Sequence, residues 1–157
     1  MHGDGSIEIR ATPESVYDLV ADVTRMGEWS PECYRCDWVG SATRAEPGAR
    51  FKGYNRSGPI RWSNVSEIVV AERGRELAWI MGGTEKRYSL WRYTFEAVPE
   101  GTLVTESFQS LRHTLLGRLA ALPLGGDRRR EMVLRAGIRD TLARLKLSAE
   151  SSAGQKG

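Results

Sequence analysis

The 157-residue sequence has little histidine, cysteine or lysine, with two histidines, two cysteines and four lysines. Two cysteines are too few for the disulfide framework of a small secreted protein. The longest apolar candidate, from Leu115 to Leu124, is interrupted and shorter than the roughly 20 residues of a membrane-spanning helix. The N-terminus lacks the basic and apolar regions of a secretory signal. We therefore expect a cytoplasmic protein without a transmembrane segment.

The net charge is +3, from 23 basic and 20 acidic residues. A nucleic-acid-binding domain usually concentrates its positive charge in a patch or stripe. The tightest basic run here is Arg128, Arg129 and Arg130, with Asp127 and Glu131 on either side. We interpret this run as the solvated first turns of a helix and expect no nucleic-acid partner.

The N-terminal region predicts one strand and two short helices. Residues 6–10 alternate between apolar and polar side chains, which is typical of a half-buried strand. Thr12 is a favourable N-cap and Pro13 suits the first helical position. A second short helix is expected over residues 24–28 and must end before Pro31, which disfavours helical geometry in the preceding residue.

Six strand-like segments separated by short turns follow, at residues 34–39, 50–55, 61–70, 77–81, 88–97 and 103–111. Such short connections favour an antiparallel meander, because parallel neighbours need long crossovers.

The last predicted element is a proline-free helix from about residue 127 to 147, with Leu134, Ile138, Leu142 and Leu145 on one face. The concave face of a curved sheet is the natural place to bury this face. We predict a single α+β domain over residues 1–147, a seven-stranded antiparallel sheet around the long helix, and a flexible tail at residues 148–157.

Short features along nearly the whole chain carry a family resemblance. They are IEIRATPESVY at residues 7–17, Asp22, WSP at 29–31, PGARF at 47–51, WRYTF at 91–95, GTLVTE at 101–106 and GIRDTLARLK at 137–146. These features resemble the SRPBCC superfamily, which has the START-like, helix-grip fold, and within it the polyketide cyclase/dehydrase-like branch. The resemblance implies a cavity protein. Members bind lipophilic molecules, carry lipids or quinones, or cyclise aromatic polyketides, without an invariant catalytic set.

Cys33 and Cys36 have CxxC spacing. A zinc site would need two more ligands, and His2 and His113 are the only histidines that could supply them. A thioredoxin-type motif belongs at a helix start in a βαβ unit, which the predicted order lacks. In a regular strand, residues three apart point to opposite faces. We therefore interpret the pair as ordinary thiols and predict neither metal nor disulfide.

Glu106 shares a strand face with Val104 and Phe108, and this more apolar face is predicted to point inward. A buried carboxyl group has a raised pKa unless it is paired. One interpretation is a salt bridge with Arg92 or Arg139. A second is a role in ligand binding or in acid/base chemistry. A third is that the inward assignment of this strand face is inverted.

Aromatic side chains on the predicted strands are the main indication of a ligand site. Large aromatics mixed with a few amide and hydroxyl groups are typical of small-molecule cavities, although the same residues can simply fill a core. Glycine in the last helix costs about 1 kcal/mol relative to alanine, which close approach to the sheet or space for a ligand would explain. The predicted cavity residues are Trp62, Asn64, Trp79, Met81, Trp91, Tyr93, Phe95, Glu106, Phe108, Gly137, Ile138 and Thr141. The predicted mouth lies among residues 57–59, 82–84 and 115–124.

We predict that the protein binds a lipophilic, aromatic or polycyclic small molecule between the sheet and the last helix. The first alternative is a polyketide cyclase or dehydratase that uses the same cavity, with Glu106, Tyr93 and His113 as candidate catalytic residues. No nucleotide-binding or metalloenzyme motif occurs, so no cofactor is expected. The second alternative is a protein-interaction or membrane-surface module that uses the segment from Leu115 to Leu124.

Overall fold

The computed structural model describes residues 1–111, 119 and 122–154. Strand β1 (His2–Ile9) leads into helix α1 (Pro13–Ala21) and then into a 3-10 helix (Val23–Glu28). The Thr12 hydroxyl accepts a hydrogen bond from the backbone N–H of Ser15 at 3.2 Å, so Thr12 caps α1 as its sequence predicts.

Six more strands follow: β2 (Cys33–Trp38), β3 (Arg50–Ser57), β4 (Ile60–Glu72), β5 (Glu76–Met81), β6 (Ser89–Val98) and β7 (Gly101–Ser110). A short helix, α2 (Gly83–Lys86), separates β5 from β6. The strands form a seven-stranded antiparallel sheet in the order β1-β7-β6-β5-β4-β3-β2. The meander and the helix-grip architecture are therefore confirmed, with β1 closing the sheet against β7.

The long helix α3 (Gly126–Gly154) packs against β1 and β7. The buried face predicted from the sequence is present, since Ile138, Leu142 and Leu145 are each at most 2% exposed. The helix continues past residue 147, because Ala149 extends this buried face and is itself only 3% exposed. Glu150 also accepts a hydrogen bond from the Arg10 backbone N–H at 3.0 Å. Residues 148–154, expected in a flexible tail, are thus the last turns of α3.

Strand β1 begins at His2, before the alternating pattern of residues 6–10 starts. The sequence pattern does not show this earlier start, because Gly3 and Gly5 have no side chains that could extend the alternation. A Cβ atom on Gly5 would lie only 2.8 Å from Cγ2 of Ile138 in α3. A Cβ atom on Gly3 would lie 2.7 Å from the Phe108 ring. Glycine therefore permits the close approach of β1 to the helix and to the Phe108 ring.

In the described part of the chain, no helix is long and apolar enough to cross a membrane.

Replacing Leu142 with alanine should lower the free energy of unfolding by about 2–5 kcal/mol, because it removes a side chain buried between α3 and the sheet. The matched control is Leu147→Ala on the same helix, where the side chain is 71% exposed and the loss should stay below about 0.5 kcal/mol. Urea denaturation measures both. Equal losses in the two variants would show that α3 does not bury this face.

Candidate ligand-binding site

A cavity of about 1330 Å³ lies between the sheet and the N-terminal half of α3. Of the predicted set, the residues that border it are Trp62, Asn64, Trp79, Met81, Trp91, Tyr93, Glu106, Phe108, Gly137, Ile138 and Thr141. Phe95 does not border the cavity. It is buried in the core, where its ring packs edge-on against Tyr17 with centroids 5.5 Å apart.

Aromatic rings from neighbouring strands form one wall of this cavity. Trp91 of β6 stacks on Phe108 of β7, with ring centroids 5.3 Å apart. Trp79 of β5 stacks on Tyr93 of β6 at 5.7 Å, and Phe51 of β3 packs edge-on against Trp79 at the same distance. Along each strand the rings occupy alternate positions, so they point to the same face of the sheet. Their mutual stacking makes the wall a rigid apolar surface for a ligand.

The sequence analysis missed many of the lining residues, including the following four on the strands. Phe51 and Asn55 lie on one face of β3, and the buried Ser66 and Ser89 lie on β4 and β6. The hydroxyl of Ser89 is buried and has no hydrogen-bond partner among the described residues. Period-two alternation starting from Phe51 would have found Asn55, but the serines carry no apolar signal.

Glu106 is a buried acid on this wall and is only 4% exposed. It lies directly across from Tyr93 in the β6–β7 register. Burial raises its pKa to about 8, and the hydrogen bond with the Tyr93 hydroxyl offsets only part of that rise. Burial, together with the neighbouring Glu106, also raises the pKa of Tyr93 well above its usual value. At neutral pH Glu106 is therefore mainly an uncharged carboxylic acid, which can donate as well as accept a hydrogen bond.

One oxygen of this carboxyl group, Oε2 of Glu106, is buried without a partner in the described part of the chain. The interpretation of Glu106 as a salt-bridge partner of Arg92 or Arg139 is wrong. Arg92 alternates to the opposite face of β6, where its Nε lies 2.8 Å from Oε1 of Glu76, and Arg139 is exposed on α3. Strand alternation alone predicts that Glu106 points inward. It does not predict which side chains Glu106 meets there, so the sequence could not exclude an arginine partner.

An ion pair stands at the edge of the cavity. Both terminal nitrogens of Arg130, in α3, donate to the carboxylate of Glu32, which precedes β2. The Arg130 guanidinium also lies 5.5 Å from the ring centroid of Trp62. Arg128 and Arg129 are exposed as predicted, but Arg130 is a partly buried structural residue, with only 14% of its side chain exposed.

Of the residues predicted to form the mouth, Ser57 and Gly58 border the cavity, whereas residues 82–84 do not. The candidate catalytic residue His113 and most of the segment from Leu115 to Leu124 lie outside the described residues. Within that segment, Leu119 and Leu122 are more than half exposed.

The two cysteines also border the cavity, and their geometry differs from the prediction. The β2–β3 register shifts between Cys33 and Arg35, and this bulge turns both thiols to the same side of the strand. Their sulfur atoms are 3.3 Å apart and both residues are buried. The hydrogen bond between them lowers the pKa of Cys33, and the same bond together with burial raises the pKa of Cys36. The opposite-face prediction is wrong because it assumed a regular strand.

Comparison with known proteins bears on the fold and the family. No curated protein matches the sequence significantly. The solution structure of a Polyketide_cyc-like protein from Corynebacterium glutamicum is 32% identical and matches over 98% of this chain and 94% of its own, with a TM-score of 0.61.

Two di-domain ARO/CYC proteins share the fold at lower identity. StfQ, from the steffimycin biosynthetic pathway, is 16% identical with a TM-score of 0.72, over 98% of this chain and 51% of StfQ. BexL, from the BE-7585A pathway, is 20% identical with a TM-score of 0.70, over 96% of this chain and 50% of BexL. The sequence profile of one family, described as "Polyketide cyclase / dehydrase and lipid transport", matches residues 2–150. The chain therefore belongs to the polyketide cyclase/dehydrase and lipid transport family.

Proposed function

We propose that the protein binds a lipophilic small molecule, aromatic or polycyclic, in the cavity between the sheet and α3. The observation that carries this proposal is the cavity itself. Its volume of about 1330 Å³ is above the common range of roughly 300–1,000 Å³ for ligand pockets, so it has room for several fused rings.

The aromatic wall supports a flat, apolar ligand. The stacked pairs Trp91–Phe108 and Trp79–Tyr93 supply large apolar surface at a fixed position. Rings held in this way gain contact area with a ligand and lose little conformational freedom on binding.

The polar groups at the cavity support a ligand that carries a few oxygen atoms. Ser89 and Glu106 each have a buried side-chain oxygen without a partner among the described residues, and such atoms gain most from a hydrogen bond. As an uncharged acid, Glu106 can donate a hydrogen bond to a carbonyl oxygen. We therefore expect a neutral ligand with carbonyl or hydroxyl groups on an apolar ring system.

Trp91→Ala should weaken binding of a fluorescent naphthalene dye by about 10-fold or more. The substitution removes an aromatic contact whose buried apolar surface contributes about 1.5–3 kcal/mol to the binding free energy. The emission of the dye itself, rather than that of tryptophan, measures the affinity. Trp38→Ala is the control, since Trp38 packs on Phe51 without bordering the cavity. Equal affinity of the two variants for the dye would place the binding site elsewhere.

A second candidate function is a cyclase or dehydratase that uses the same cavity. The observation that favours it is Glu106, an acid whose pKa of about 8 lies close to neutral pH and whose neighbour is the Tyr93 hydroxyl. A group with such a pKa exchanges a proton readily at neutral pH. The two ARO/CYC neighbours have the same fold. In this proposal the cavity orients a polyketide-like substrate and Glu106 transfers the proton, without a metal or nucleotide cofactor.

A further inference from the structure

Three sulfur atoms meet at one end of the cavity, where the 3-10 helix packs against β2. The thiols of Cys33 and Cys36 lie 3.3 Å apart. The thioether sulfur of Met26 lies 3.8 Å from Sγ of Cys36. All three side chains border the cavity, so they form one cluster of soft donor atoms rather than three separate core residues.

The neighbouring strand leaves this sulfur cluster (Met26, Cys33 and Cys36) open. Gly53 of β3 pairs directly with Cys36. A Cβ atom on Gly53 would lie 3.5 Å from Sγ of Cys33 and 3.7 Å from Sγ of Cys36, in van der Waals contact with both. Any larger side chain would therefore cover the two thiols, and glycine keeps a path to them from the cavity.

The types of ligand atom in the sulfur cluster determine which metal ion it would bind. The residues that the structure describes contain no group of three or more His, Cys, Asp and Glu side chains, and zinc sites are built from such groups. Two thiolates with a thioether instead favour a soft monovalent ion, in particular Cu(I). We propose, in place of the expectation from the sequence that this pair binds no metal, that Cys33, Cys36 and Met26 form a binding site for Cu(I) that opens onto the cavity.

The two sulfur–sulfur distances that involve Cys36 are close to those of such a site. In a three-coordinate site, metal–sulfur bonds of about 2.3 Å hold neighbouring sulfur ligands about 4 Å apart. The Cys36–Met26 separation of 3.8 Å is close to this value, and the two thiols, now 3.3 Å apart, need to separate by about 0.7 Å. Binding forms two Cu–S(thiolate) bonds, breaks two S–H bonds and releases two protons to solvent. Copper stays Cu(I) throughout, so the step needs no oxidant or reductant.

The test is an anaerobic Cu(I) titration of the reduced full-length chain, in competition with bicinchoninate and with native mass spectrometry for stoichiometry. We expect one Cu(I) per chain. Cys33→Ser and Cys36→Ser should each weaken binding by about 100-fold or more, and Met26→Leu, which keeps the apolar shape, by about tenfold. The control is Met132→Leu, because Met132 is exposed on α3 and should not matter.

X-ray absorption of the wild-type complex gives a readout that does not depend on how well the serine variants fold. Three sulfur scatterers around copper support the site. Nitrogen or oxygen ligands, full affinity in Met26→Leu, tighter binding of Zn(II), or no stoichiometric binding would overturn it.

Discussion

Glu106→Gln is expected to stabilise the protein at pH 9 by about 3–5 kcal/mol and to remove most of the dependence of its stability on pH between about 5 and 8. In the folded protein burial raises the pKa of Glu106 to about 8, from an ordinary value of 4.5. The unfolded chain therefore ionises first as the pH rises. The free energy of unfolding should fall from about pH 4.5 to about pH 8 and level off above that.

Glutamine keeps the shape of the side chain and its hydrogen bond with Tyr93 but carries no charge, so its burial cost does not change with pH. Urea denaturation at pH 5, 7 and 9 measures the difference between the two proteins. Glu96→Gln is the matched control, because Glu96 lies on the exposed face of the same sheet. An unchanged pH slope in Glu106→Gln would mean that Glu106 is solvated in the folded state.

The same substitution separates the two candidate functions through catalysis. If the protein is a cyclase or dehydratase, Glu106→Gln should lower kcat by about 10²–10⁴-fold with little change in KM, because glutamine occupies the site but transfers no proton. If the protein only carries its ligand, the affinity for a neutral ligand should change little. The measurement is product formation from a linear poly-β-ketone substrate, together with the dissociation constant of a neutral ring compound.

Two comparisons make this experiment decisive. Glu96→Gln should retain full turnover, since Glu96 does not border the cavity. A kcat in Glu106→Gln equal to that of the wild type would remove Glu106 from the chemistry and leave the enzyme proposal without its acid.

Much of the cavity follows from local periodicity. Alternation along β6 and β7 is enough to point Trp91, Tyr93, Glu106 and Phe108 inward, and the short turns make these strands neighbours. The helical spacing of Ile138 and Leu142 likewise determines which side of α3 meets the sheet. These features depend on backbone geometry that is regular over many residues, so a single sequence predicts them.

What the sequence did not predict depends on single interactions or on irregular backbone. The bulge in β2 places the side chains of Cys33 and Cys36 on the same face of the strand instead of on opposite faces. No residue type at that position indicates a bulge. The Arg130 side chain is partly buried because it pairs with Glu32, a residue almost one hundred positions away in the chain. Glycines in a sequence usually indicate the end of a strand. In β1 they are instead required, because α3 packs too closely to leave room for a side chain.

Tryptophan indole NMR tests the central claim, that the cavity is the ligand site, most directly. Trp62, Trp79 and Trp91 border the cavity, whereas Trp29 and Trp38 do not. Titration of the ¹⁵N-labelled protein with a neutral polycyclic ketone should shift the indole N–H signals of the first three and leave the other two in place. No shift in any of the five signals, or shifts confined to Trp29 and Trp38, would contradict it.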